Sequence, residues 1–375
     1  MTRRYDAVVI GAGIVGAACA RECAQAGMRT AIIEQGTIGG GATAAGMGHI
    51  VVMDDSPAQL ALTRYSQLLW SDLASQLPPS AEYETCGTLW VAADEEEMAE
   101  VLRKQELYRS AGVPVEVLDQ AQLREAEPNL RPGLAGALLV QSDAVLYPPA
   151  AALHLLNQAI EQGADLRAGA HVLHCGNGSL QLSDGTTFAA DRIINAAGAL
   201  AGALTPGLQI RKRKGHLVIT DRYPGFVRHQ LVELGYLKSA HSVSGDSVAF
   251  NVQPRKTGQI LIGSSRQYDE ESPGIESRIL TAMLDRVGQY MPGIAELSAI
   301  RSWTGFRAAT PDKLPLIGPD EHDPTLFLAT GHEGLGITTS LATALLLADH
   351  FRGAAPAIPL DPYLPSRFAA EAAHA

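Results

Sequence analysis

The sequence predicts an α/β protein: a Rossmann-like nucleotide-binding domain, discontinuous in the chain, with an inserted α+β domain that contains an antiparallel sheet. Three observations predict it. A strand, a glycine turn, a helix and a second strand open the chain. A second glycine-rich turn opens another helix near the far end. Between them lies a stretch of short strands separated by turn residues.

The first unit can be argued residue by residue. Residues 5–10 (YDAVVI) form an apolar strand that runs into Gly11-Ala12-Gly13-Ile14-Val15-Gly16. Gly11 permits the tight turn, Gly13 lets backbone approach a pyrophosphate, and Gly16 lets the helix pack closely on the sheet. Phosphates then meet unpaired N–H groups at the positive end of the helix dipole. The second strand, 30–33, closes on Glu34, where an acid accepts hydrogen bonds from ribose hydroxyls. Gln35 and Gly36 follow it instead of a basic residue, which argues against a 2′-phosphate. The late turn, His332-Glu333-Gly334-Leu335-Gly336-Ile337-Thr338, is of a different kind. Together the two turns point to FAD, held non-covalently and buried.

The segment after Glu34 contains Gly39, Gly40, Gly41, Ala42, Thr43, Ala45, Gly46, Met47, Gly48 and His49. Such glycine density reads either as a flexible surface loop or as backbone pressed against a ligand. Its place after the second strand of a nucleotide fold favours the ligand. A helix is expected over 58–77, a strand over 87–92, and a charged helix from the N-cap Asp94 to about 111. A strand at 115–118 and a short helix from 119 follow, then a helix over 150–162 that ends at Gly163. Residues 165–173, containing Val172, form a strand, and 179–188 a hairpin about Asp184-Gly185. A further strand, 191–198, ends in Ala196-Ala197-Gly198, small enough for backbone to pass a cofactor.

From 210 the pattern changes. Short strands at 215–220, 248–253 and 259–263 surround one helix, 277–290, as in an antiparallel sheet with one face free to roof a cavity. The expected nucleotide domain is therefore 1–82, 143–209 and 303–375, and the substrate domain 83–142 and 210–302.

Composition bounds the function. The net charge of −11 over 375 residues argues against nucleic acid, which asks for a basic face. The run Arg211-Lys212-Arg213-Lys214-Gly215-His216 is too short for a nucleic-acid stripe and reads as a solvated turn or a docking patch for an acidic electron-transfer partner. No apolar run has the length of a membrane helix, and the N-terminus passes directly into the first strand, so a cytoplasmic protein is expected. Cys19, Cys23, Cys86 and Cys175 show no metal-binding spacing. Electrons that leave through an iron–sulfur cluster would need a partner to supply it.

At this point the chain resembles the D-amino-acid oxidase-like flavoenzymes, which include glycine oxidase, sarcosine oxidase and the D-hydroxyproline dehydrogenases. The resemblance rests on the first glycine turn, on 39–48, on 193–198, on the stretch WTGFRAATPDKLPLIG at 303–318 and on 331–337. These span the chain in the family's order. Residues 42–55 look most like the FAD subunit of a bacterial D-hydroxyproline dehydrogenase. The resemblance implies FAD, a carboxylate-bearing amine substrate, and hydride transfer from carbon to flavin N5. It places the carboxylate-binding arginine at Arg307, for which a guanidinium fork is well suited. An ion pair with Asp312 or another acid is the competing role for Arg307, and Lys313 reads as a solvated loop charge. Sarcosine oxidases carry a flavin-linked cysteine just before the corresponding motif; Gly305, Phe306 and their neighbours include none.

His49 and His332 are expected near the flavin, and Tyr236 and Tyr268 on the roof, with His49 and Tyr236 as further catalytic candidates beside Arg307. The function implied is oxidation of cis-4-hydroxy-D-proline; glycine, sarcosine or a linear D-amino acid is the alternative. A flavin subunit that only relays electrons is the reading from another class. The acceptor, oxygen or a partner subunit, stays open, as does oligomeric state.

Overall fold

The computed structural model describes residues 3–235, 245–268 and 270–368. Two sheets dominate it. The first runs, edge to edge, through Leu316–Pro319, Leu326–Thr330, Thr187–Asn195, Arg3–Ile10, Thr30–Glu34 and Asp165–Ala168. Its central strands are parallel and almost wholly buried, as sheets covered on both faces require. The helix Ile14–Gln25 packs on it through Ala17, Ala18, Cys19, Ala20 and Cys23, side chains small enough for close approach. Burial pushes both thiols up, that of Cys23 to about 12, so they act as apolar filler.

Two expected elements here are differently divided. Residues 165–173 form two strands, Asp165–Ala168 and Val172–Gly176, because Gly169 turns the chain at φ +72°. The hairpin and the strand after it are continuous: Thr187–Asn195 pairs antiparallel with Ser179–Leu182 and parallel with Arg3–Ile10.

The second sheet forms the roof. Its order is Ala299–Ala309, Arg211–Thr220, Ile260–Tyr268, Ser247–Pro254, Gln230–Glu233, Thr88–Ala92, Gly136–Val140, Val115–Asp119. Pairing is antiparallel except between Gln230–Glu233 and Thr88–Ala92. The helix Ser277–Tyr290 covers its outer face with Ile279, Met283, Val287 and Tyr290. The domain boundary drawn at 303 falls inside a roof strand, which carries Arg307 and ends at Ala309.

The basic run at 211–216 is not a turn. It is strand, and Arg213 and Lys214 are 3% and 0% exposed. Arg213 pairs with Glu333 and Lys214 with Glu276, so the charges are neutralised inside the fold. No helix among the described residues is long and apolar enough to cross a membrane.

Candidate active site

Between the two sheets lies an elongated cavity of about 1040 Å³, lined at one end by the first glycine turn and at the other by the roof. The nucleotide end is made of backbone. Gly11 has φ +102°, and a Cβ there would sit 2.7 Å from the carbonyl oxygen of Ala196. A Cβ on Gly16 would meet the Gly11 oxygen at 2.0 Å. Gly16 therefore stands beneath the turn and outside the cavity wall, where it sets the depth at which the helix docks. Glu34 braces the turn: its two oxygens accept from Ala12 N at 2.7 Å and Gly36 N at 2.6 Å. Thr43 Oγ1 accepts from Ile14 N at 3.0 Å and ties the second glycine loop to the first helix.

Residues 40–43 and 45–49, with Gln35 and Val172, continue the wall. The glycines of this loop answer to protein as much as to ligand. A Cβ on Gly46 would lie 2.7 Å from Ile337 Cδ1, and one on Gly48 (φ +99°) 2.0 Å from the Leu146 oxygen. Across the cavity Ala196, Ala197 and Gly198 are held by Asn195, a fully buried amide that donates to Ala201 O and accepts from Ala197 N.

The helix Gly336–Arg352 points its N-terminus into the cavity with no side-chain cap and no acid in its first turn. That end favours negative charge on whatever lies against it. Gly334, Leu335 and Ile337 line the wall beside it. Thr338 does not: its hydroxyl donates to His49 O at 2.9 Å and accepts from Val51 N at 3.3 Å. It is a brace for the His49 strand. His332 is in the wall, bonded through Nε2 to Thr343 Oγ1 at 3.0 Å, and burial pushes its pKa down to about 3. A neutral imidazole that anchors the turn to the helix is what remains.

The roof end is made of side chains. Arg307 crosses Gly215, where a Cβ would stand 2.6 Å from its Nη1, and donates from Nη1 to Ser265 O at 3.1 Å. Burial, then the charge of Arg213, lowers its pKa to about 10, so it stays cationic at neutral pH. Asp312 is not its partner; that carboxylate holds Arg367. Arg266 lines the same end, lowered to about 9 by burial and then by Arg213 and Arg307. Glu333 (φ +55°) pairs with Arg213 and its N–H donates to Ala308 O, which locks the late glycine turn to the roof. His49 Nδ1 lies 2.7 Å from Gln230 Oε1 and its Nε2 3.5 Å from Asn251 Nδ2. Burial lowers its pKa to about 4, with Arg307 adding to the effect.

Lys313, read as a solvated loop charge, is half-buried in the cavity wall. Tyr268 packs under the Arg213 guanidinium, 4.9 Å from ring centre, and does not line the cavity. Tyr236 lies outside the described residues. Sequence reading missed Gly215, Gly305, Gln230, Asn251 and Arg266. Two of these carried a signal. Gly215 and Gly305 are register partners inside strands, where glycine marks a close approach: Arg307 lies over the first and Ala45 over the second.

The chain matches the family model of the DAO FAD-dependent oxidoreductases over residues 6–350. It is 30% identical to glycine oxidase of Geobacillus kaustophilus (strain HTA426), over 97% of each chain. The crystal structure of glycine oxidase from that species superposes with a TM-score of 0.87, covering 98% of this chain and 99% of that one. Hydrogen cyanide synthase subunit HcnC of Pseudomonas aeruginosa is 26% identical, over 100% of this chain and 98% of its own. The fold is also that of L-proline dehydrogenase from P. horikoshii, with a TM-score of 0.88 at 22% identity and 99% of each chain covered. Two glycine turns lining one cavity, and likeness along the whole length, lead to one conclusion: the chain belongs to the DAO family of FAD-dependent oxidoreductases.

Proposed function

We propose that the protein oxidises a small carboxylate-bearing amine to the imine. The observation that carries this reading is Arg307, a charged guanidinium over the cavity with no carboxylate partner among the described residues. The elongated cavity and its N–H-rich turns suit FAD, and no cysteine is among the residues that line it, in keeping with non-covalent binding. Bound FAD supplies the hydride acceptor, flavin N5. The chain's own residues do the rest. Arg307 pairs with the substrate carboxylate and fixes its orientation, and such fixed geometry is worth roughly 7–11 kcal/mol of barrier. The N-terminus of Gly336–Arg352 stabilises negative charge that develops against it.

For the substrate we favour cis-4-hydroxy-D-proline, on the resemblance of residues 42–55. Likeness to glycine oxidase supports glycine, sarcosine or a linear D-amino acid as the second reading. A subunit that only relays electrons has no use for a buried carboxylate clamp. HcnC is by its name a subunit, which supports a partner subunit as one electron acceptor, with oxygen as the other. The four cysteines are all free thiols, which suits the reducing cytoplasm.

The test is an anaerobic absorbance titration with cis-4-hydroxy-D-proline, glycine, sarcosine and D-proline. Bleaching of the flavin band by the hydroxyproline alone is expected. Bleaching by glycine or sarcosine moves the assignment to the second reading, and a band that no amine touches moves it to the relay. Readmitting air then separates oxidase from dehydrogenase.

A further inference from the structure

The roof holds two kinds of polar group, and the proposed chemistry has so far used one. Arg307 brings donors. An amino acid laid against it also presents an N–H on the far side of Cα, and once the ligand has displaced water from that wall the N–H needs an acceptor there. Arg213 and Arg266 beside it carry donors only. The Glu333 carboxylate is engaged by Arg213 and the Gln230 oxygen by His49, while Asn251 Oδ1 and Ser264 Oγ, on residues of the same wall, are themselves buried atoms.

His49 is built to accept. Gln230 Oε1, 2.7 Å from Nδ1, fixes the proton on Nδ1 and leaves a lone pair on Nε2. The Nε2 contact to Asn251 Nδ2 is long, 3.5 Å, and brings a donor, in agreement with that tautomer. The backbone is fixed as well: His49 pairs with Val145, and its carbonyl accepts from Thr338 Oγ1 at 2.9 Å. His49 is partly buried, and it lines the cavity near enough to Arg307 to respond to its charge.

We infer that His49 Nε2 accepts a hydrogen bond from the substrate amine, so that Arg307 and His49 grip the carboxylate and the nitrogen as a pair. The neutral ring, with its pKa near 4, orients the nitrogen without removing its proton. Fixing one N–H turns the nitrogen lone pair toward the Cα–H bond that breaks. The inference rests on the reading that the ligand over Arg307 is a carboxylate-bearing amine.

The experiment pairs an amine with its oxygen counterpart in the flavin-loaded protein: cis-4-hydroxy-D-proline against (R)-tetrahydro-2-furoate, or glycine against glycolate if glycine bleaches the flavin. Amine affinity and the limiting rate come from anaerobic flavin reduction, and oxygen-analogue affinity from perturbation of the flavin spectrum. His49→Ala is expected to weaken the amine roughly tenfold in affinity or limiting rate, the worth of one hydrogen bond, and to leave the analogue within about twofold. His49→Gln, which keeps an acceptor near the Nε2 position, restores most of the loss. An equal loss for both ligands, no loss for either, or failure of glutamine to do better than alanine overturns the inference. Silence of the wild-type flavin toward both ligands overturns the parent reading, and the inference with it.

Discussion

The two ends of the cavity are built by opposite means. At the nucleotide end, turns and helix termini present backbone N–H groups, and at Gly11, Gly16, Gly40 and Gly48 other backbone atoms already occupy the space a side chain would need. At the roof end, Arg307, Arg266 and Gln230 come from separate strands of the roof sheet and His49 from the small pairing of His49–Ile50 with Ala144–Val145, and they meet only in the fold. The first end can fail by a single methyl group. The second should fail gradually, one bond at a time, while the cofactor stays.

Gly16→Ala is the severest way to probe this contrast. Its Cβ would sit 2.0 Å from a backbone oxygen, with no flexible atom to give way, so the purified variant is expected to be colourless. A variant that retains the flavin would show that the helix can retreat, and that the nucleotide end is not as stiff as its glycines imply. Arg307→Ala comes next: a loss of roughly a hundred- to thousandfold in kcat/KM, from removing one partner of a buried charge pair, with flavin content unchanged. Loss of flavin instead would erase the division between the ends. Glu34→Gln removes a charge that accepts from two backbone N–H groups, each bond worth about 1.5–3 kcal/mol. FAD should bind roughly ten- to a hundredfold more weakly by fluorescence titration, and kcat at saturating FAD should not change.

The smallest effect lies where the ends meet. His332 stays neutral in the folded protein down to about pH 3, whereas a histidine in the unfolded chain takes a proton near 6.5. Below about 6.5 the unfolded state binds the extra proton, so stability present above that pH is lost as the pH falls toward 3. His332→Leu removes this contribution. Denaturant melts between pH 7 and 5 should show a shallower loss of stability than wild type, whatever the variant's stability at pH 7.

Much of the nucleotide end was legible in the sequence because its logic is local. Gly11, Gly13 and Gly16 fall within a few residues, and Glu34 follows at the end of the next strand. Asp94 and Asp119 announce their helices by capping, and the second has a full capping box. The roof was legible only in outline. The run at 211–216 looks solvated because composition cannot show that Glu333 and Glu276 lie opposite it. Asn251 and Gln230 carry no motif; they matter because their strands run beneath His49. Thr338 belongs to a recognisable turn and yet braces a strand, since its place on the helix turns its hydroxyl toward the His49 carbonyl.

The strand order bears on how the protein is made. Arg3–Ile10 pairs with Thr30–Glu34, close to it in the chain, but its other neighbour is Thr187–Asn195, and Leu326–Thr330 lies beyond that. The helix that closes the cavity, Gly336–Arg352, comes almost last. Sheets assembled from such distant segments form late. A chain that stops before residue 336 has every strand of both sheets, but not the turn of helix that completes the flavin pocket. Where flavin is plentiful, yellow colour therefore reports assembly as well as binding: it marks the chains that include the helix Gly336–Arg352 and have docked it against the cavity.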